Sequence, residues 1–430
     1  MLHALSEKPR AKDGHPVKVC ESNMKIIWSI PVWGETLSST RGDIVRARHL
    51  VKALRDAGHD VRVVERGQGA GTGLMVAGYR GVLRRMLPRH LALILRDVSR
   101  FGNSLYFGRQ LAKEARKYGA DVIVETQMNG AASGATAARL CGLPLVLDDC
   151  SPTSEEDVLG AGLPSLARKI LLFQASAAAV VIATSRSVRE RLIAEGVAGD
   201  KIHIVRNGVN LDRFNAADGR SMRARLGLSD RCVIGFVGSF LDWHRVDLLV
   251  DALSRIPAAM NLHLLLVGTG PNLAAVLKQG ERNGVRDRIT SVGGVEPDEI
   301  PDYLASFDIG VLPDTLDYGN PMKLTEYAAA AVPTVAPNRP SVREVVEDGQ
   351  TGILFPPHDV DSLAYALMHL AENPALRAEI GGKSRLRVAV KSSWPVLAEN
   401  LIGELDSQIH QGAVPSIDPA NPQQNASVAE

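Results

Sequence analysis

The 430-residue chain has few aromatic side chains and no strong excess of charge of either sign. Phe, Trp and Tyr make up 4% of the residues, so the aromatic platforms that bind single-stranded nucleic acids are not expected. The 49 Lys and Arg are balanced by 48 Asp and Glu, whereas nucleic-acid-binding domains usually carry a marked basic excess. We therefore predict that the protein has no nucleic-acid partner.

Cysteines and long apolar runs are also scarce. The four cysteines form no C-x-x-C pair, which argues against a zinc knuckle and fits a reduced, cytoplasmic setting. The most apolar run, Ile170 to Ala183, falls short of the roughly 18–20 residues that span a bilayer. Residues 1–23 are polar and lack the apolar core of a signal peptide, so we predict a flexible tail there. Residues 411–430, rich in Pro, Asn, Gln and Ser, are predicted to be a disordered tail.

Short apolar runs typical of buried strands alternate with stretches of helical periodicity. In the first half the predicted strands are Lys25–Ile30, Val61–Val64, Val122–Val124, Leu145–Leu147, Val180–Ala183 and Ile202–Val205. In the second half they are Val233–Val237, Leu262–Val267, Ile289–Val292, Ile309–Leu312 and Pro333–Ala336. Strands separated by helices predict parallel sheets built from βαβ units.

Because this alternation starts again in the second half, the predicted fold class is α/β with two tandem, doubly wound, Rossmann-like domains facing each other across a cleft. The predicted boundaries are residues 24–208 and 209–393, and the polar segment Val209–Asp230 is predicted to be an irregular linker. Ligands of such domains bind at the carboxyl ends of the strands, so the cleft is the expected site.

Several loops after predicted strands of the second half carry groups suited to a phosphorylated ligand. Gly238 allows close approach of the backbone, and Ser239 and His244 can donate hydrogen bonds to an anion. The G-x-G of Gly268 and Gly270 repeats this pattern after the next strand, although glycines also simply make tight turns.

A second feature is the helical segment that starts after the fourth strand of the second half. Lys323 and Glu326 lie three residues apart and so share one helix face. A cation near phosphate and a carboxylate near ribose hydroxyls would suit a nucleotide sugar. A surface ion pair is the alternative interpretation of the same spacing.

Two further loops concern the first half. The polar loop before Gly42 could receive an anion at a helix N-terminus, while Asp43 is predicted to be the helix cap. Asp148 ends the fourth predicted strand on the cleft side. In the second half, the D-x-D of Asp359 and Asp361 is predicted to cap a helix, so no obligatory metal is expected.

The segment from Arg80 to Lys117 combines ten basic residues with interleaved apolar ones. A basic amphipathic helix of this kind can lie on an anionic membrane surface. A solvated outer helix face explains the same pattern. We state the membrane surface as a hypothesis, and with it a peripheral location at the inner face of the membrane.

Taken in order, these segments resemble the retaining GT-B glycosyltransferases of family 4 over roughly Met24 to Leu401. The segment beginning at Asn207-Gly208-Val209 resembles the family's inter-domain "NGVD…F". Gly268-Thr269-Gly270-Pro271 resembles "VGxGP", and Val292-Gly293-Gly294-Val295 resembles "FxGxV", which borders the nucleotide base in the family. Lys323 to Ala328 resembles the "KLxEYxA" variant of its best-known motif.

The chain departs from the family pattern in the residues that usually carry charge. An Arg-x4-Lys pair commonly neutralises the diphosphate, but Ser239 and His244 stand at those positions. Of the family's E-x7-E motif only the second glutamate, Glu326, is kept, and Tyr318 replaces the first.

The resemblance implies transfer of a sugar from a nucleotide-sugar donor to an acceptor hydroxyl with retention, in the synthesis of a glycan, polysaccharide or glycolipid. The donor would be linked to UDP or GDP and would lie mainly on the second domain, and the acceptor would be a glycan or a lipid-linked group. A C-terminal helix, about 394–410, would pack back onto the first domain, and Asn207 and Gly208 would form the hinge.

The resemblance also implies roles for individual residues. The catalytic candidates are Lys323, His244 and Asp148, the last as the remaining candidate for a base. The predicted donor-binding residues are Gly42, Ser239, His244, Gly268, Gly270, Val295, Asn320, Met322, Lys323, Leu324 and Glu326.

Two other functions stay open from the sequence. A sugar-nucleotide 2-epimerase would use the same fold but would need acid and base groups around the sugar, of which the first domain offers few. A catalytically degenerate relative that binds or scaffolds a partner would explain the missing Arg, Lys and first Glu.

Overall fold

The computed structural model describes residues 23–32, 34–39, 41–67, 88–148, 162–317 and 321–411. Two six-stranded parallel sheets, each flanked by helices, make up the fold. This architecture confirms the prediction of two Rossmann-like α/β units. Apart from Asn23 and Gln411, the two predicted tails lie outside the described residues.

The first sheet has the strand order β2-β1-β3-β4-β5-β6. Its strands are β1 (Lys25–Ile30), β2 (Asp60–Glu65), β3 (Val122–Thr126), β4 (Leu145–Asp148), β5 (Val180–Ala183) and β6 (Ile202–Ile204). The helices around it are α1 (Gly42–Asp56), α2 (Arg89–Tyr118), α3 (Ser133–Cys141), α4 (Pro164–Ala177) and α5 (Arg186–Glu195). All six predicted strands of this half are therefore confirmed, with ends shifted by one or two residues.

The second sheet has the order β12-β11-β10-β7-β8-β9, with the reversal of direction between β7 and β10. Its strands are β7 (Cys232–Val237), β8 (Leu262–Val267), β9 (Ile289–Gly293), β10 (Ile309–Val311), β11 (Thr334–Pro337) and β12 (Ile353–Phe355). Between and after them lie α8 (Val246–Arg255), α9 (Leu273–Arg282), α10 (Ile300–Ala305), α11 (Met322–Ala329), α12 (Pro340–Arg343), α13 (Val360–Glu372), α14 (Pro374–Lys391) and α15 (Trp394–Gln411). A crevice opens where neighbouring strands send their loops to opposite faces, so this reversal marks a ligand site.

Strands such as β5 and β7 are apolar along almost their whole length because helices cover both faces of each sheet. In β1 five of six residues are buried, and the indole of Trp28 donates its N–H to Thr126 at 3.0 Å. A buried indole that finds an acceptor avoids the cost of an unpaired donor.

The segment predicted to be an irregular linker, Val209–Asp230, contains two short helices, α6 (Asp212–Asn215) and α7 (Gly219–Leu226). The prediction missed α7 although Asp218, which caps it by accepting from the Ser221 amide, is a standard start signal. It also missed β12, whose three residues are too short to show a period.

The chain passes between the two units twice, at adjacent places. The Val209 amide donates to the Ser392 carbonyl at 2.8 Å, so the outgoing and returning segments lie side by side. The returning helix α15 packs on α1 through Trp394, Leu397 and Leu401, all buried in the core of the first sheet. Within the described residues, no helix is both long and apolar enough to cross a membrane.

Candidate functional site

A pocket lies between the two units at the β7–β10 reversal. Both units and the segment that joins them contribute to its wall. The lining residues are Val45, Arg48, His49, Gly208, Val209, Asn210, Arg213, Phe214, Val237, Gly238, Ser239, Val267, Gly268, Thr269, Gly294, Val295, Pro297, Ile300, Met322, Glu326 and Trp394.

Glycines shape the floor of the pocket at the ends of β7 and β8. Gly268 has φ of +123°, and a Cβ there would lie 2.1 Å from the Gly238 carbonyl oxygen, so a side chain is excluded. Gly238 has φ of +143° and donates its amide to the Val267 carbonyl at 3.0 Å. The two loops thus run in contact, and Gly238 and Gly268 add no side chain to the floor of the pocket.

Helix α11 is held at the strand reversal by Tyr327. Its hydroxyl donates to the Val311 carbonyl at the end of β10 and accepts from the Val237 amide at the end of β7, both at 3.2 Å. Gly310 makes room for the ring, since a Cβ there would lie 2.8 Å from it. Tyr327 therefore fixes the helix that carries Lys323 and Glu326 against the two strands that form the crevice.

Lys323 lies beside the β7 loop and contacts His244. The Lys323 Nζ and His244 Nε2 atoms are 3.0 Å apart, and Nζ lies 5.6 Å from the centroid of the Phe236 ring. Burial lowers the pKa of Lys323 to about 8, partly offset by the charge of Glu326. Burial, together with the Lys323 charge, lowers the pKa of His244 to about 4. At neutral pH the pair is therefore one ammonium and one uncharged imidazole.

Glu326 is a partly exposed carboxylate in the pocket wall. Burial raises its pKa to about 7, while the charges of Lys323 and Arg213 act in the opposite direction. Arg213, from α6, also lines the pocket, donates to the Pro297 carbonyl and lies 3.6 Å from the exposed Asp298 carboxylate. The Glu326 carboxylate is available to accept hydrogen bonds from ligand hydroxyls.

The first unit contributes α1 to the opposite wall. Arg48 donates to the Leu37 carbonyl at 3.2 Å, and the His49 ring stacks on Trp394 of α15 with centroids 5.1 Å apart. Burial lowers the pKa of His49 to about 4, so this wall presents the guanidinium of Arg48 and a neutral ring. The sequence reasoning did not select Arg48, His49, Arg213 or Trp394. For Arg213 a signal existed, because it directly precedes Phe214, which stands at the F of the inter-domain "NGVD…F" segment.

The structure brings many of the predicted site residues together. Ser239, Gly268, Val295, Met322 and Glu326 line the pocket, as does the predicted hinge residue Gly208. Lys323 and His244 lie immediately behind the β7 loop, since a Cβ on Gly238 would be 3.5 Å from Lys323 Nζ. Gly42 begins α1 but is not among the lining residues. Asn320 lies outside the described residues, as do Tyr318 and Gly319.

Two predicted donor-binding residues, Leu324 and Gly270, do not line this pocket, and one predicted helix cap, Asp43, is wrong. Leu324 is 1% exposed and packs in a core cluster with Leu312, so its side chain cannot contact a donor. Gly270 is not in the wall either, since it allows close packing on Phe240, whose amide nitrogen would lie 2.4 Å from a Cβ. Asp43 is not the cap of α1, which begins one residue earlier, at Gly42 after Arg41.

Asp148 is fully buried and is held by Arg46, so it does not present a free carboxylate to the cleft. Nε and Nη2 of Arg46 donate to the Asp148 carboxylate at 2.9–3.2 Å. The Nη1 group of Arg46 donates to the Arg206 carbonyl at 2.9 Å and to the Asn207 side chain at 3.0 Å. The pair therefore anchors the predicted hinge, and a role of Asp148 as base is not supported by this geometry.

No cluster of three or more potential metal ligands occurs among the residues that the structure describes. Asp359 accepts from the Ser362 amide at 3.0 Å and caps α13, which confirms the predicted helix cap.

Comparison with known sequences identifies the family. A profile described as "Glycosyltransferase Family 4" matches residues 44–213, and one described as "Glycosyl transferases group 1" matches residues 231–373. The two matches do not overlap, and each covers most of one sheet and the loops that form the pocket. The chain belongs to glycosyltransferase family 4.

Curated relatives of this glycosyltransferase are similar over much of their length. The chain is 29% identical to the GDP-mannose-dependent alpha-(1-6)-phosphatidylinositol monomannoside mannosyltransferase of Mycobacterium tuberculosis, over 65% of this chain and 74% of the relative. It is 26% identical to the alpha-D-kanosaminyltransferase of Streptomyces kanamyceticus, over 70% of this chain and 81% of the relative.

Solved structures share the GT-B fold. Anabaena Alr3699/HepE, crystallised with UDP-glucose, superposes with a TM-score of 0.69 at 19% identity over 90% of this chain and 100% of that one. Sucrose-phosphate synthase from Thermosynechococcus elongatus gives 0.69 at 21% identity, over 90% and 99% of the two chains. These similarities confirm the fold that the sequence resemblance implied.

Proposed function

We propose that this glycosyltransferase moves a sugar from a nucleotide-sugar donor to an acceptor hydroxyl with retention of configuration, without an obligatory metal. The observation that carries the proposal is the pocket at the β7–β10 reversal, where glycine loops meet Lys323 and Glu326. The proposal is supported by the position of Lys323 and Glu326, a cation and a carboxylate that are both partly exposed, on one short helix, α11.

In this proposal the donor lies along the second unit. The carboxylate of Glu326 accepts hydrogen bonds from the ribose, and Val295 borders the base. The Ser239 hydroxyl and the Lys323 ammonium stabilise the charge that develops on the departing diphosphate, the step that most needs electrostatic help. Retention follows the family resemblance, with attack from the face that the diphosphate leaves.

The proposed donor is a UDP-linked or a GDP-linked sugar. The mycobacterial relative is named for GDP-mannose, whereas the Anabaena structure holds UDP-glucose. One relative is named as a phosphatidylinositol monomannoside mannosyltransferase and another as an alpha-D-kanosaminyltransferase, and we propose a lipid-linked group or a glycan as the acceptor.

A screen of the full-length protein against a panel of UDP- and GDP-linked sugars tests the proposal, with thermal shift and released nucleotide measured in parallel. We expect one donor to raise the melting temperature and to release nucleotide, and Glu326→Gln to reduce both effects. The anomeric configuration of the product, read by NMR, tests retention. Conversion of the donor into its 2-epimer, with the nucleotide still attached and no glycoside formed, would instead support the epimerase. Stabilisation without release, with acceptors present, would support a non-catalytic binding protein.

We also propose peripheral association with an anionic membrane surface in a cytoplasmic setting. Helix α2 supports it, because Leu91, Leu95, Val98 and Tyr106 are exposed at helical spacing on it and the exposed basic side chains Arg100 and Arg109 lie nearby along the helix. Arg80, Arg84 and Arg85 of the predicted basic segment lie outside the described residues. Flotation with vesicles that contain or lack anionic lipid tests this, and equal binding to both would contradict it.

A further inference from the structure

The β7 loop holds a histidine whose surroundings determine which ring nitrogen carries the proton. His244 Nδ1 lies in hydrogen-bond contact with the Ser239 carbonyl oxygen, and His244 is 9% exposed. A carbonyl oxygen only accepts, so Nδ1 is the nitrogen that carries the hydrogen in this contact. In a neutral ring the other nitrogen, Nε2, then has a free lone pair.

That lone pair points at Lys323, whose Nζ is 3.0 Å away. An ammonium has three donors and no acceptor, so this contact is a hydrogen bond from Lys323 to the ring. A doubly protonated ring would instead place N–H against N–H. The contact joins the end of β7 to the start of α11, the two elements that flank the strand reversal.

We propose that His244 is a positioning residue, whose uncharged ring is oriented by the Ser239 carbonyl and holds the Lys323 ammonium beside the Gly238–Ser239 loop. The inference rests on the proposed function, since it assumes that a donor diphosphate lies at this loop. It changes the role predicted for His244 from the sequence, where it replaced a cation of the family pattern. The positive charge comes from α11, and the loop contributes the acceptor that fixes it.

The other charged groups around this pair are already engaged or lie further along α11. The Asp314 amide donates to the His244 carbonyl at 3.2 Å, and the Asp314 carboxylate is bound by Arg339 at 2.6 and 3.0 Å. Glu326 lies one turn beyond Lys323 on α11, and its charge raises the pKa of Lys323. The Phe236 ring packs edge-on to the imidazole at 5.8 Å and completes the apolar side of the pair.

The test measures binding of UDP and of GDP to the full-length protein by calorimetry, from about pH 7 to about pH 9.5, a range in which Lys323 titrates. Three variants separate the roles: His244→Gln keeps an acceptor near the Nε2 position, His244→Leu removes it, and His244→Lys supplies a cation. His263→Leu is the matched control, since His263 is also a buried imidazole with a hydrogen-bond partner but lies outside the pocket.

We expect wild-type affinity to fall as the pH rises through about 8, because Lys323 loses its proton. His244→Leu should bind about tenfold more weakly at pH 7, with the fall moved to lower pH, because the ammonium has lost a hydrogen-bond partner. His244→Gln should stay within about threefold of the wild type, and His244→Lys should bind more weakly than His244→Gln because two cations repel. His263→Leu should bind as the wild type does.

Unchanged affinity and pH midpoint in His244→Leu would overturn the positioning role, as would binding by His244→Lys as tight as that of the wild type. If His244→Leu does not fold, as judged by thermal unfolding, the comparison of His244→Gln with His244→Lys still tests whether position 244 must supply a hydrogen-bond acceptor. Absence of UDP and GDP binding to the wild type at every pH would overturn the proposed function itself, and this inference with it.

Discussion

Two charged groups of residues lie near the cleft, one in each unit, and they differ in what satisfies them. In the first unit Arg46 and Asp148 are fully buried, and Arg46 makes five hydrogen bonds, to the Asp148 carboxylate, the Arg206 carbonyl and the Asn207 side-chain oxygen, which hold both side chains within the fold. In the second unit Lys323 and Glu326 are partly exposed, and burial shifts the pKa of each toward its uncharged form. The difference teaches that a saturated pair supports the fold, whereas an incompletely satisfied pair facing a pocket is available for chemistry.

The largest effect is expected from Asp148→Asn, which leaves the buried Arg46 charge without its counter-charge. Breaking such a pair costs about 3–5 kcal/mol of the free energy of unfolding, measured by urea denaturation. The control is Asp56→Asn, which breaks an exposed pair with Lys52 and should cost under about 0.5 kcal/mol. A stable but inactive Asp148→Asn would assign Asp148 to catalysis and would contradict the structural role of the Arg46–Asp148 pair.

Lys323→Met should act on the reaction rather than on the fold. Removing a group that stabilises developing charge typically lowers kcat by about 10²–10³-fold. The free energy of unfolding should not fall, since the variant no longer buries a cation. Nucleotide release from the preferred donor measures the rate, and Lys278→Met, an exposed lysine of the same unit, is the control. Full activity of Lys323→Met would contradict the proposal that the Lys323 charge on α11 assists the reaction.

Glu326→Gln sharpens the comparison through pH. Burial raises the pKa of Glu326 from 4.5 to about 7, so between these values the folded state binds a proton that the unfolded state has released. Wild-type stability should therefore decrease as pH rises from about 4.5 to about 7, relative to Glu326→Gln. Parallel unfolding curves across this range for the two proteins would contradict the assignment. Donor affinity should fall by about tenfold in the variant, because a neutral amide is a weaker acceptor.

The smallest effect concerns a contact between the units. The Glu344 carboxylate accepts from the Arg186 and Ser187 amides at the start of α5, at 2.8 and 3.2 Å, and pairs with Arg206 at 3.0 Å. Glu344→Ala should cost about 1 kcal/mol, as for loss of a helix cap. Hydrogen exchange should rise at the two amides. The control is Glu347→Ala, whose pair with Arg387 is more exposed, and equal exchange in both variants would argue against the contact.

Some of the features behind these predictions can be recognised in the sequence, and others cannot. Strand runs such as Leu262–Val267 are apolar on both faces, and this pattern is local, so all eleven predicted strands were found. The start of α11 was visible from Lys323 and Glu326 because a spacing of three residues determines a shared helix face. The contacts of Asp148 and His244 could not be predicted, since their partners Arg46 and Lys323 lie 102 and 79 residues away in the chain.

The sequence by itself determined the α/β class, the two parallel sheets, the loops at which we expect a ligand, and the family. These follow from periodicity, glycine positions and short motifs, which are properties of neighbouring residues. Only the tertiary structure decided which charges remain available. It brought Arg46 onto Asp148, placed Arg48 and Arg213 in the pocket wall, and set Lys323 against His244. The physical reason is that the pKa and the hydrogen-bonding capacity of a side chain depend on its burial and its partners, and parallel sheets bring those partners from distant parts of the chain.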